Sequence, residues 1–203
     1  MTFALVKHNN NSISAITSPG NLTQGKMTLL QTQTASSSAS VSFTSNIDST
    51  YTIYVFKIIN MNPATDNHIF EFQANSSGGS GFNESVTTTS FRQYNTESGS
   101  GSYNYNVNDD LANGTDYIHL ANGVGNGSDE SLCGELFLFN PSSTNRQKNF
   151  IARFVYYEAG DGIMEYFTSG QFLTTTAIDE ISFKMASGNI DSGTFKMYGI
   201  KGS

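Results

Sequence analysis

Short segments in which apolar and polar residues alternate recur along the chain, separated by glycine, asparagine, serine and proline. The last two illustrate the pattern, because Phe183 and Met185, and then Phe195 and Met197 beyond a turn at residues 187–189, alternate with polar or small neighbours. A period of two is typical of a β-strand with one buried face. We therefore predict a pair of strands joined by a turn, with Phe183 and Phe195 as core anchors and the final strand well inside a sheet.

The rest of the chain also favours β-strands, since Phe, Tyr, Ile, Val and Thr dominate its apolar segments. Residues 128–132 alone suit a single helical turn, with Ser128 as its cap. The other segments predicted as strands are residues 27–33, 39–43, 51–60, 69–74, 86–94, 103–107, 116–120, 135–139, 149–158 and 163–172. About a dozen strands and almost no helix predict an all-β fold, an antiparallel two-sheet sandwich of the jelly-roll or concanavalin-like type.

The length of 203 residues fits one all-β domain. We predict a single β-sandwich domain over residues 1–203, with residues 1–25 as an alternative extended N-terminal arm, because their two short apolar pieces flank a run of asparagines. The glycine-rich stretch at residues 122–128 is predicted to be a mobile surface loop, as is the stretch at residues 75–81.

The charge of the chain limits its partners. Ten basic residues are scattered among seventeen acidic ones, which gives a net charge of −7, whereas broad contact with nucleic acid needs clustered Lys and Arg. No apolar run reaches the roughly 18 residues of a membrane span, and the apolar piece near the N-terminus is too short for a secretory signal. We expect no nucleic-acid partner, no membrane span and synthesis in the cytoplasm.

Residues with catalytic or metal-binding chemistry do not form a diagnostic pattern. His8, His68 and His119 lie far apart and are predicted to be surface or strand histidines. Ser169 lacks the preceding glycine of a nucleophile elbow, and the lone Cys133 is predicted to be a small buried hydrophobe. We therefore predict no catalytic residue, no cofactor and no enzyme activity. Carboxylates are plentiful enough for a glycosidase pair, but no two are matched by the sequence. A polysaccharide-degrading enzyme stays as a third alternative only because lectin-like sandwiches host such activities.

Two polar stretches leave alternatives open. Gly123, Gly125 and Gly127 superficially match a phosphate-binding loop, but no helix and no P-loop lysine follow them. Residues 108–110 (Asn-Asp-Asp), together with Asp116, offer hard oxygen ligands for calcium. A solvated turn rich in asparagine and aspartate is the favoured interpretation there, and no metal is predicted to be required.

The C-terminal residues resemble those of a known protein family. Residues 178–185 read IDEISFKM, and residues 187–203 read SGNIDSGTFKMYGIKGS. These stretches resemble the end of small structural proteins of marine tailed bacteriophages, in which a strand of the type SG-T-[IF]-K-[LM]-YG-I closes a jelly-roll or lectin-like sandwich. The resemblance implies a virion protein of the capsid surface or the tail, and it brings no catalytic residues.

We therefore expect a bacteriophage virion structural protein. A head-surface decoration or cement protein is favoured, acting by repetitive contacts with the major capsid protein or tail proteins and with copies of itself. The absence of sequence repeats and heptads argues against a whole fibre. The runner-up is a carbohydrate-binding, host-recognition module of the tail or fibre. For a host glycan, Tyr103 and Tyr105 offer rings that stack on a sugar face.

Overall fold

The structure, a computed structural model, describes residues 27–202, so the predicted N-terminal arm and His8 lie outside the described residues. Within residues 27–202 there are strands but no helix, and hence no helix long and apolar enough to cross a membrane. The strands are β1 (Met27–Ser38), β2 (Val41–Phe43), β3 (Ile53–Pro63), β4 (His68–Ser76), β5 (Val86–Thr96), β6 (Gly101–Tyr105), β7 (Ile118–Val124), β8 (Leu132–Phe139), β9 (Lys148–Glu158), β10 (Gly162–Phe172), β11 (Ile178–Met185) and β12 (Ile190–Ile200).

These strands form two antiparallel sheets that pack face to face. The larger sheet has the order β1–β12–β3–β8–β9–β10–β5–β6, and the smaller has the order β2–β11–β4–β7. A single bridge between Val124 of β7 and Glu158 of β9 links them. The predicted all-β, two-sheet antiparallel architecture is thereby confirmed, while the jelly-roll type stays a prediction.

The core between the sheets is rich in aromatic rings. Phe72 of the smaller sheet meets Phe150 of the larger with ring centroids 5.0 Å apart, and Phe183 meets Phe195 at 5.9 Å. Both Phe183 and Phe195 are fully buried, which confirms their prediction as core anchors. Such edge-to-face and tilted pairs stabilise the core beyond the burial of their surface.

The last two strands do not pair with each other. β11 lies between β2 and β4, whereas β12 lies between β1 and β3. The turn between them, with Gly188 at a φ of +76°, carries the chain from the smaller sheet to the larger. The interior position of the final strand is confirmed, but its predicted pairing with the preceding strand is wrong. Alternation reports which side of a strand is buried and not which strand is its neighbour.

The glycine-rich stretch at residues 122–128 is not a mobile loop over its whole length. Its first three residues end β7, and Gly123 and Gly125 are buried. The carbonyl oxygen of Gly123 accepts a hydrogen bond from the backbone nitrogen of Ala159 (3.0 Å), and the nitrogen of Gly125 donates to Tyr157 (3.1 Å). The glycines allow this close approach, since a Cβ on Gly125 would collide with the carboxyl group of Glu130.

The predicted helical turn at residues 128–132 is also wrong. Ser128 lies in a simple turn, in which the backbone nitrogen of Glu130 donates to the carbonyl oxygen of Gly127 (3.1 Å). The carboxylate of Glu130 accepts in return from the nitrogen of Gly127 (2.7 Å), and β8 begins at Leu132. The side chain closes the turn locally, so the backbone needs no helix to satisfy these groups.

Candidate interaction surface

The side of the larger sheet that faces away from the core is open to solvent. In β9 and β10 the residues that alternate with the core emerge there, and Ile151, Val155 and Ile163 are 43–50% exposed. We call this side the outer face. Its exposed large apolar side chains are Met27, Leu29, Ile59, Tyr103, Tyr105, Ile151, Val155 and Ile163. An apolar surface of this kind on an otherwise polar protein is typical of an interaction site.

A row of directly opposed residues crosses the outer face, because paired residues of antiparallel strands share a face. It runs through Lys196, Lys57, Glu135, Arg153, Phe167, Phe91 and Tyr105, one from each of seven adjacent strands. At its charged end, Lys57 Nζ lies 3.0 Å from Glu135 Oε2, and Arg153 forms an ion pair with Glu165. The charges therefore largely compensate one another.

The other end of the row is aromatic. Phe91 and Phe167 stack with centroids 4.6 Å apart and ring planes 15° from parallel, and Phe91 lies 5.5 Å from Tyr103. The guanidinium of Arg153 lies 5.3 Å from the centroid of the Phe167 ring, at cation–π distance. Beside them, Phe137 and Ile151 help to line an apolar groove of about 360 Å³. These rings therefore form one continuous aromatic patch.

Two residues singled out in the sequence lie on or beside this surface. Ser169 belongs to the wall of the groove, and no carboxylate or histidine among the described residues bonds its hydroxyl. Cys133 is only half-buried, so its prediction as a buried hydrophobe is wrong. Its sulfur accepts a hydrogen bond from the backbone nitrogen of Asn60 (3.2 Å).

A network of hydrogen bonds surrounds Asp109, which is a buried carboxylate. It is 5% exposed. His119 Nδ1 lies 3.1 Å from Oδ1, and Asn122 Nδ2 donates to the same oxygen (3.2 Å). The hydroxyl of Tyr166 and the amide of Asn106 donate to Oδ2. The favoured prediction of a solvated turn is therefore wrong at Asp109, because this side chain ties the connection between β6 and β7 to the core.

The ionisation of this network follows from its hydrogen bonds. Burial alone raises the pKa of Asp109, but the hydrogen bonds from His119 and Tyr166 and the charge on His119 outweigh it, so the pKa lies below its ordinary value. Burial, with the nearby carboxylate, raises the pKa of Tyr166 far above that of an exposed tyrosine. At neutral pH Asp109 is a carboxylate that accepts and Tyr166 a phenol that donates, which is a structural arrangement.

The neighbouring acid, Asp110, holds the edge of the outer face. Its Oδ1 accepts from the hydroxyl of Ser90 (2.7 Å), and its Oδ2 accepts from the hydroxyl of Tyr105. The hydroxyl of Tyr105 is thereby anchored to the connection between β6 and β7. Thus the polar stretch at residues 108–110, considered as a calcium site, instead orients an aromatic side chain of the interaction surface.

Chelation of divalent metal is expected to leave the melting temperature unchanged. The oxygens of Asp109 and Asp110 are occupied by protein donors, and residues 27–202 hold no cluster of three His, Cys, Asp or Glu suited to a metal ion. Thermal denaturation with EDTA, and again with added calcium, measures this. A drop of several degrees in EDTA that calcium reverses contradicts it.

Comparison with known proteins identifies no relative. No family model matches the chain, and neither the curated proteins nor the solved structures include a significant match. The residues that resemble the ends of phage structural proteins form β11 and β12. The function is therefore inferred from that resemblance and from the outer face.

Proposed function

We propose that the protein is a structural protein of a bacteriophage virion, a head-surface decoration or cement protein that works by contact with other virion proteins. The exposed apolar outer face carries this proposal, because burying such a surface is the main source of affinity between proteins. The resemblance of the closing strands to phage proteins supports the assignment to a virion.

The charge distribution favours the outer face as the contact. The chain carries a net charge of −7. By contrast, the row of opposed residues, taken together with Glu165, the ion-pair partner of Arg153, holds three basic and two acidic side chains. Bringing this face against a neighbouring protein therefore does not concentrate negative charge at the contact. The acidic remainder keeps the protein soluble before assembly.

Binding to particles that lack the protein tests the proposal. Purified protein is expected to bind them saturably in a cosedimentation assay. Ile151→Glu is expected to weaken binding about tenfold or more, because it places an unpaired carboxylate in the contact. Ser80→Glu, at an exposed loop position, adds the same charge and is expected to bind like the original protein.

The copy number per particle, measured by quantitative mass spectrometry, places the protein in the virion. Hundreds of copies indicate the head, and a handful indicates the tail. Absence from purified particles, or equal binding by the Ile151→Glu and Ser80→Glu variants, contradicts the proposal.

One observation favours the runner-up, a glycan-binding module of the tail. Tyr103 and Tyr105 are exposed, Tyr103 lies against Phe91, and the amide of Gln93, which donates to Glu165, lies on the same face. Aromatic rings flanked by uncharged hydrogen-bonding groups suit the apolar side of a sugar. Saturable binding to a host polysaccharide that Tyr103→Ala abolishes, together with no binding to particles, would favour this function.

A further inference from the structure

Three of the four sheet edges in the described residues are interrupted or closed. β1 has a register shift between Leu29 and Gln31, and its Gln33 side chain donates to the carbonyl of Ser42 in β2 (2.6 Å). β2 is only three residues long, and β7 is bridged to β9. Such devices keep sheet edges from pairing with other chains.

The fourth edge, β6, has none of these protections. Its pairing with β5 runs without a shift from the Phe91–Tyr105 pair to the Asn95–Gly101 pair. Residues 98–108 contain no charged residue and no proline. Tyr103, Tyr105 and Val107 are 57–67% exposed, the highest values among the large apolar side chains of residues 27–202. The least protected edge is thus also where apolar exposure is concentrated.

The hydrogen bonds between β5 and β6 determine which backbone groups remain unpaired. The nitrogen of Thr96 donates to the oxygen of Ser100, and the nitrogen of Asn106 donates to the oxygen of Ser90. Hydrogen-bonded pairs in an antiparallel ladder alternate with non-hydrogen-bonded pairs. Even-numbered residues of β6 therefore bond to β5. The N–H and C=O groups of Gly101, Tyr103 and Tyr105 point away from the sheet.

We propose that β6 pairs in antiparallel fashion with β6 of a second copy of this chain. The three outward residues are symmetric about Tyr103. A two-fold axis there places Tyr103 opposite its own copy and Gly101 opposite Tyr105, and every outward N–H finds a C=O. A second copy therefore satisfies this edge completely, and the segment that pairs, within residues 98–108, contains no charged residue.

The pairing has a consequence for the outer face. Because the axis is perpendicular to the sheet, the outer faces of both copies lie on the same side of one continuous sheet. Tyr103 and Tyr105 of each copy then stand at its centre. The inference goes beyond the proposed function and does not depend on it, since it rests on the geometry of β6 alone.

Sedimentation velocity of the purified protein without particles tests the proposal. The original protein is expected to sediment at twice its chain mass of 22.0 kDa, and Tyr103→Pro at the mass of one chain. Proline at this position removes an outward N–H but no hydrogen bond to β5. Leu29→Lys, at the opposite edge, is the control and is expected to remain a dimer. Circular dichroism checks that each variant is folded.

Hydrogen exchange of the original protein gives a second measurement that needs no variant. The amides of Tyr103 and Tyr105 are expected to exchange more slowly as protein concentration rises. Exchange that does not depend on concentration, a single-chain mass at all concentrations, or a persistent dimer of the Tyr103→Pro variant overturns the proposal. Particle binding is measured separately, so failure of the dimer and failure of the virion function are distinguished.

Discussion

Replacement of Phe183 with alanine is expected to lower the free energy of unfolding by about 3–5 kcal/mol. Its ring is fully buried at the centre of the core. It contacts aromatic rings from both sheets, namely Phe43, Phe56, Phe70, Phe72 and Phe195. Rings held this way cannot close around the vacated space without leaving their rotamers, so a cavity remains and adds to the lost hydrophobic transfer energy.

Phe167→Ala is the matched control, because it makes the same change on the half-buried outer face. Its expected cost is about 1 kcal/mol, near the average for substitutions in proteins. Denaturation with urea at constant pH measures both variants, with the slope checked for two-state unfolding. An unchanged midpoint for Phe183→Ala, or equal losses in both variants, contradicts the assignment of Phe183 as the central core residue.

Replacement of Asp109 with alanine is expected to lower the free energy of unfolding by about 3 kcal/mol. The loss arises because the donors of His119, Tyr166 and Asn122 remain in place without their acceptor. Tyr166→Phe removes one donor only and is expected to cost about 1 kcal/mol. The same denaturation experiment at neutral pH compares the two variants. A smaller loss for Asp109→Ala than for Tyr166→Phe contradicts the network.

The contribution of Asp109 to stability is also expected to depend on pH. Its pKa in the folded protein lies below the ordinary value of 3.8, so the folded state binds this proton less readily than the unfolded state. The stabilisation is therefore fully present above about pH 4 and is lost as the pH falls through the folded pKa. Unfolding free energies of the original protein and Asp109→Asn should converge on acidification. A gap that stays constant down to pH 2 contradicts this.

The strands could be predicted from the sequence, but their neighbours could not. Alternation placed β9 and β10 within one residue of their observed bounds, since each strand buries every second side chain. The partners of β12 are separated from it by most of the chain, and a period of two contains no information on them.

The environment of Lys148 could not be predicted from alternation either. It is fully buried, and its Nζ donates to the carbonyls of Thr174 (3.2 Å) and Thr176 (2.6 Å).

The candidate interaction surface corresponds in the sequence to a run of apolar residues, which does not follow the alternating pattern. At the end of β8 apolar residues are consecutive, with Leu136 and Leu138 in the core and Phe137 and Phe139 on the outer face. Such a run predicts a strand covered on both sides, whereas here one side faces solvent.

Asp109 and His119 were both singled out in the sequence by their residue types. Only the fold shows that they meet, because the connection between β6 and β7 returns over the sheet.

The position of β12 has a consequence for the order of folding during synthesis. β12 leaves the ribosome after β1–β11, yet it lies between β1 and β3. The hydroxyl of Ser37 reaches the carboxylate of Asp191 across 154 positions of sequence. Among the described strands, β1 has no neighbour in the larger sheet and β3 has an unpaired edge until residues 190–200 emerge. The larger sheet is therefore completed only once residues 190–200 have emerged, and until then the unpaired strands of a nascent chain are open to aggregation.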